Sequence, residues 1–170
     1  ALSAGAQEGD QYPVKVVPLV SPDGVRPGDA FAVALEFAIQ GKFHIYGPAE
    51  NDGTPTQVEP APVAGLSFGA PVYPPTGEMD VFGQKLAVYE KTIHVVVPAK
   101  AAADAKPGTT LTVKLRATYA ACDDKRCLPP QMDRAFEVTV PIVAPGTPVK
   151  PLRPEVFEPA GIRFDAGAGT

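Results

Sequence analysis

The stretch LTVKLRATY (residues 111–119), the loop AACDDKRCLPP (120–130) and the run FEVTVPI (136–142) decide the fold. In the first, Leu111, Val113, Leu115, Ala117 and Tyr119 alternate with Thr112, Lys114, Arg116 and Thr118. In the last, Phe136, Val138, Val140 and Ile142 alternate with Glu137 and Thr139. A period of two puts one set of side chains on a buried face and the other in water, which is a β-strand. Two such strands in succession predict a long hairpin, with Cys122 and Cys127 on the loop that joins them.

Working outward, Phe31, Val33, Leu35, Phe37 and Ile39 repeat the same period and predict a further strand with one buried face. Residues 12–20 read as an irregular edge strand, because two prolines interrupt a β-branched run. Phe43 to Tyr46, Leu86 to Tyr89 and Thr92 to Val97 read as further strands. Residues 49–75 are loop-like, with short strands expected at Ser67-Phe68 and Pro71 to Tyr73, and residues 99–105 form the one helix-prone stretch. The chain holds 21 prolines and 16 glycines in 170 residues, too many breaks for long helices. Many short strands without a βαβ rhythm predict an all-β chain, an immunoglobulin-like β-sandwich with its cysteine pair on a hairpin-end loop. The lack of Trp and of widely spaced cysteines separates it from antibody-type domains.

The expected organisation is a flexible segment at 1–11, the sandwich at 12–143 and a Pro-rich linker or tail at 144–170. Pro145, Pro148, Pro151 and Pro154 recur every third residue, the repeat of a polyproline II helix, so the tail reads as a spacer or as a strap lying on the domain. A spacer favours a fragment of a longer protein, and residues 166–170 are expected to be mobile.

Charge and hydropathy limit the partners. Fifteen basic and 19 acidic residues leave a net charge of −4, which offers no field to gather phosphates, so no nucleic acid is expected. No apolar run is long enough to span a bilayer, so the chain itself is expected outside the membrane.

The chemistry centres on the two cysteines. Closing so short a loop restricts the unfolded chain by only about 2 kcal/mol, against about 4.7 kcal/mol for a 100-residue loop, so a staple here contributes little stability. A local disulfide on a loop is instead within reach of another thiolate. Asp123 and Asp124 follow Cys122 and disfavour its thiolate, whereas Lys125 and Arg126 precede Cys127 and favour that one. Cys127 is therefore the expected exchanging sulfur and Cys122 its resolving partner. Two alternatives stay open on residue types alone. One is a non-catalytic immunoglobulin-like binding or assembly module with a structural disulfide. The other is a copper-binding domain drawing on His44, His94, Met79, Met132 and the cysteines, although no spacing matches a recognised metal motif.

The run YAAC (119–122) through CLPP (127–130), between LTVKLRATY and FEVTVPI, resembles the N-terminal periplasmic domain of the DsbD family, the thiol-disulfide interchange proteins. Phe43-His44-Ile45-Tyr46 is similar to that family's aromatic-rich strand before a Gly/Pro loop, and Met79 to Gly83 to the cap loop over its cysteine pair. The resemblance spans residues 12 to 143. The spacing departs from the best-known member, with four residues between the cysteines instead of five.

The resemblance implies an immunoglobulin-like sandwich with catalytic Cys122 and Cys127. Such a domain accepts electrons from a thioredoxin-like domain through a membrane conduit and reduces periplasmic thioredoxin-fold disulfide carriers, cytochrome c maturation factors among them. It also implies that the second cysteine, Cys127, forms the mixed disulfide, that the location is the bacterial periplasm, and that the chain continues into a membrane electron-conduit domain. Direct exchange needs no bound cofactor and no metal. Phe82 or Val81 is the expected cap over the sulfurs, since an aromatic or branched group there excludes stray thiols. Tyr46, His44 and Tyr119 are expected to line the site, whereas Glu50, Asp52 and Glu59 read as solvated loop charges.

Overall fold

The computed structural model describes residues 12–81 and 83–162. Its strands are β1 (Val14–Ser21), β2 (Ala30–Ile39), β3 (Ile45–Tyr46), β4 (Gln57–Pro60), β5 (Leu66–Phe68), β6 (Gly77–Val81), β7 (Gln84–Tyr89), β8 (Thr92–Ala101), β9 (Thr110–Tyr119) and β10 (Gln131–Pro141). They form a sheet β1-β2-β8-β5, a second sheet β10-β9-β4 and a small third sheet β3-β7-β6. The protein is an all-β sandwich of immunoglobulin-like type.

The hairpin predicted from alternation is present: β9 and β10 pair antiparallel, with Leu115 opposite Phe136 and Val113 opposite Val138. Their apolar faces meet the large sheet, and Phe31, Val33, Leu35, Phe37, Val95, Val97, Val113, Leu115, Ala117 and Val140 form one core. Burying each large apolar side chain is worth about 1.5–3 kcal/mol, so this interface holds the two sheets together.

Three expectations are corrected. Residues 99–105 do not form a helix: β8 continues to Ala101, buries Ala99 and Ala101, and pairs on one edge with β2 and on the other with β5. Pairing partners on both sides outweigh the helix propensity of alanine. The helical turns lie instead in the Pro-rich tail, as α1 (Pro154–Phe157) followed by a 3₁₀ turn (Glu158–Ala160). Finally, β2 is buried on both faces, because Val156 and Phe157 of that tail pack on Ala32, Ala34 and Val96. Small side chains on the outer face of β2 let a second layer approach the sheet.

Discrete bonds tie the tail down. Lys150 N–H donates to Asp23 Oδ1 (2.8 Å), Asp23 N–H to the Lys150 carbonyl (3.0 Å), and Leu152 N–H to Ser21 Oγ (2.8 Å). Arg153 bridges Glu36 and Glu155, and Glu36 is also hydrogen-bonded to His94 Nε2 at 2.9 Å on the sheet's outer face. Residues 1–11 and 163–170, with the expectations of mobility placed there, lie outside the described residues.

Candidate redox site

Beyond Tyr119 the hairpin ladder continues into the cysteine loop. Leu128 N–H donates to the Ala121 carbonyl (2.9 Å), Cys122 and Cys127 stand opposite one another, and Asp123 N–H donates to the Arg126 carbonyl (2.9 Å). Asp123 folds the tip: its Oδ1 accepts from the amides of Lys125 and Arg126, each at 2.9 Å. Those two bonds, more than the nearby positive charges, hold the Asp123 carboxyl below its ordinary range.

Cys122 and Cys127 form a disulfide with Cα atoms 4.0 Å apart. The two sulfur-bearing residues differ sharply in environment: Cys122 is 1% exposed, whereas Cys127 is exposed. Lys125, Arg126 and Asp124 are exposed around the tip, and Asp123 is half-buried.

The strand entering β3 flanks the buried cysteine. His44 N–H donates to the Cys122 carbonyl (2.9 Å) and Cys122 N–H to the His44 carbonyl (3.0 Å), which sets the two residues directly opposite each other. Two residues on, Tyr46 puts its hydroxyl 3.9 Å from Cys127 Sγ. Its ring packs edge-on to His44 with centroids 5.5 Å apart, and burial raises its hydroxyl pKa, with the Glu50 charge adding to the rise. Tyr46, Val81, Leu86, Val88 and Cys122 form a small apolar cluster, with Met79 packed against it. Gly53 lies on the Tyr46 ring so closely that a Cβ there would collide with Cδ2, Cε2 and Cζ.

Glu50 is corrected from a solvated charge to a structural clasp. Its carboxylate accepts from Ala87 N–H of β7 (2.9 Å) and from the amides of Asn51 and Asp52 (3.0 and 3.3 Å). These bonds, the one from Ala87 foremost, lower its pKa and fix the loop carrying Gly53 beneath Tyr46.

Tyr12 is a residue the sequence reading passed over. Its hydroxyl accepts from Ala121 N–H (2.8 Å) and donates to the Pro129 carbonyl (3.1 Å), joining both strands of the cysteine loop at its neck. Its ring packs edge-on to Tyr119, which packs edge-on to Phe37 in the main core. A lone Tyr before a Pro carries no local signal for this, since the partners lie more than a hundred residues away.

The structure thus gathers Tyr46, Val81 and Cys122 into one cluster and sets His44 beside it through its backbone pair with Cys122 and its ring contact with Tyr46. It places Cys127 Sγ 3.9 Å from the Tyr46 hydroxyl and puts Tyr119 in the main core. Phe82 lies outside the described residues. Among the described residues no three His, Cys, Asp or Glu side chains gather to hold a metal ion. Of the donors considered for copper, His94 pairs with Glu36 and Met132 is 61% exposed on β10, whereas Met79 packs on the cluster that holds Cys122 and His44 stands opposite Cys122.

These features define an immunoglobulin-like domain with a disulfide at a loop tip, one sulfur-bearing residue buried and the other in solvent. The chain belongs to the family described as thiol:disulfide interchange protein DsbD, N-terminal, whose model matches residues 16–139; it is a thiol-disulfide interchange domain. Among solved structures it is similar to the N-terminal periplasmic domain of ScsB from Proteus mirabilis, at 13% identity and a TM-score of 0.52 over 78% of this chain. The chain spans about half of that domain, 48% of its length. It also matches the reduced N-terminal domain of Neisseria meningitidis DsbD at 23% identity and a TM-score of 0.45, over 76% of this chain and 86% of that one. No curated protein matches. Among the described residues, no helix is long and apolar enough to cross a membrane.

Proposed function

We propose that the protein is a periplasmic disulfide reductase domain that passes electron pairs from a thioredoxin-like donor, through a membrane relay, to the disulfides of thioredoxin-fold partners. The observation that carries this reading is the asymmetry of the pair, with Cys127 open to solvent and Cys122 buried. Exchange requires in-line approach to one sulfur, and Cys127 is the exposed residue of the two.

In the charging half-reaction a donor thiolate attacks Cys127 Sγ, the bond to Cys122 breaks, and its electron pair leaves on Cys122. The donor's second thiolate then attacks the donor sulfur, freeing Cys127 and leaving the donor oxidised. In the delivering half-reaction the Cys127 thiolate attacks an acceptor disulfide, and Cys122 closes on Cys127 to release the acceptor as a dithiol. Two electrons move each way without a cofactor. Tyr46, whose hydroxyl is 3.9 Å from Cys127 Sγ, and Val81, packed in the cluster with Cys122, stand beside the pair, so a protein partner that engages Cys127 docks against them. Membership of the family supports covalent continuation into a membrane conduit and a periplasmic location.

Trapping tests this. Cys122→Ser, with Cys127 reduced, should accumulate a mixed disulfide with thioredoxin-fold proteins, and Cys127→Ser should accumulate none. The wild-type pair should equilibrate with dithiols near thioredoxin's potential of about −270 mV; a structural bond sits below about −300 mV. Equal trapping by both variants, or a pair inert to mild dithiols, overturns the relay and leaves a stapled binding module.

A further inference from the structure

Buried polar groups almost always find a hydrogen-bond partner, and leaving one without is costly. His44 is 1% exposed, and neither Nδ1 nor Nε2 has a partner among the described residues. An imidazole kept in this state needs a use. The residue opposite it is Cys122, bonded to it through both backbone amides. Directly opposed residues of an antiparallel pair project from the same face with Cβ atoms about 4.5–5.5 Å apart, which is within reach of an imidazole and a thiol. The oxidised sulfur of Cys122 carries no proton and is a poor acceptor, so among the described residues the ring finds no hydrogen bond in the disulfide form. Reduction creates a thiol beside it.

We propose that His44 is the proton carrier of Cys122, an assignment that rests on the exchange reading above. In the delivering half-reaction Cys122 must lose its proton before it can attack, and its burial keeps bulk water away. The Cys122 S–H proton passes to the free imidazole nitrogen, and the resulting thiolate attacks Cys127 Sγ. The bond between Cys127 and the acceptor breaks with its electron pair on the acceptor sulfur, and the imidazolium proton neutralises that thiolate. In the charging half-reaction the flow reverses, and the imidazolium returns a proton to Cys122 as it leaves. Burial lowers the His44 pKa, so the ring is ready as a base near neutrality. The charged groups acting on it are Glu90, just after β7, and Asp123 of the cysteine loop, which oppose that effect only in part. Tyr46 packs edge-on to its ring, and Cys122 stands opposite it in the backbone ladder.

The test uses the reduced protein and an aromatic disulfide such as Ellman's reagent, followed by stopped flow. Cys127 releases the first thiolate equivalent, and closure by Cys122 releases the second. In the wild type the second phase should be nearly level from pH 7 to 9. In His44→Phe it should slow about a hundredfold at pH 7, the scale of a lost general base. It should also climb about tenfold for each pH unit as the thiolate fraction rises. The first phase should stay unchanged. His44→Gln, which keeps a polar amide but no basic nitrogen, should behave as His44→Phe, and melting curves identify any folding loss. A second phase with wild-type rate and pH profile in both variants overturns the assignment. If the wild type itself releases no second equivalent, the exchange reading falls instead.

Discussion

Two regions of the sandwich are held by different means. On the outer face of β2, Ala32, Ala34 and Val96 are sealed under Val156 and Phe157, a contact of apolar surface to which the bonds of Lys150, Leu152 and Arg153 add anchors. At the cysteine tip the holding is done by single hydrogen bonds: Tyr12 across the neck, Asp123 inside the turn, Glu50 under the Tyr46 loop and the backbone pair of His44 and Cys122. Apolar burial is non-directional and worth kilocalories per side chain, so it suits a layer that must stay shut. Hydrogen bonds contribute less net stability, but they fix direction, and direction is what in-line exchange at one sulfur requires. The difference implies that stability and reactivity can be perturbed separately.

The strongest break in that separation is sought at Phe157. Phe157→Ala should cost about 3–5 kcal/mol, read by denaturant unfolding, while the exchange rate per folded molecule stays at the wild-type value. A matching fall in exchange would show that the strap reaches the site. Next comes Tyr12→Phe, which leaves Ala121 N–H and the Pro129 carbonyl without their partner. The expected cost is about 1–3 kcal/mol, together with faster hydrogen exchange at Ala121 and an altered rate of reduction by small dithiols. An unchanged reduction rate would reassign Tyr12 to packing alone.

The smallest effect is electrostatic. Asp123 has its pKa lowered in the fold, so its support of the tip is complete above the unfolded carboxylate value of about 3.9 and is lost as pH falls through the lower folded value. Protection of the Lys125 and Arg126 amides should therefore hold at pH 6 and vanish in strong acid. In Asp123→Ala it should be absent at both. Retained protection in that variant would show that the backbone turn alone holds the tip.

Much of this was legible in advance, and the misses share a cause. The β9–β10 hairpin and β2 followed from alternation, because a strand with one wet face writes its period into the chain. Ala99 and Ala101 read as helix, because the partners on both edges of β8 are not neighbours in sequence. β4 and β6 escaped notice in a proline-rich region, since short strands carry too few residues for a period. At the site, the cysteines and the charges between them were visible locally. Tyr12 was not, because its hydroxyl acts on a loop that arrives at the other end of the chain.

The order of residues by itself determined that this chain forms β-sheet, that one hairpin bears both cysteines at its tip, and that opposite charges flank them. Only the tertiary structure decided that Cys122 is buried while Cys127 is exposed, that an imidazole with no hydrogen-bond partner among the described residues stands opposite the buried one, and that the Pro-rich tail seals a second face of β2. Periodicity and spacing are properties of neighbours along the chain. Burial and unmet hydrogen-bonding capacity depend on which distant segments arrive alongside.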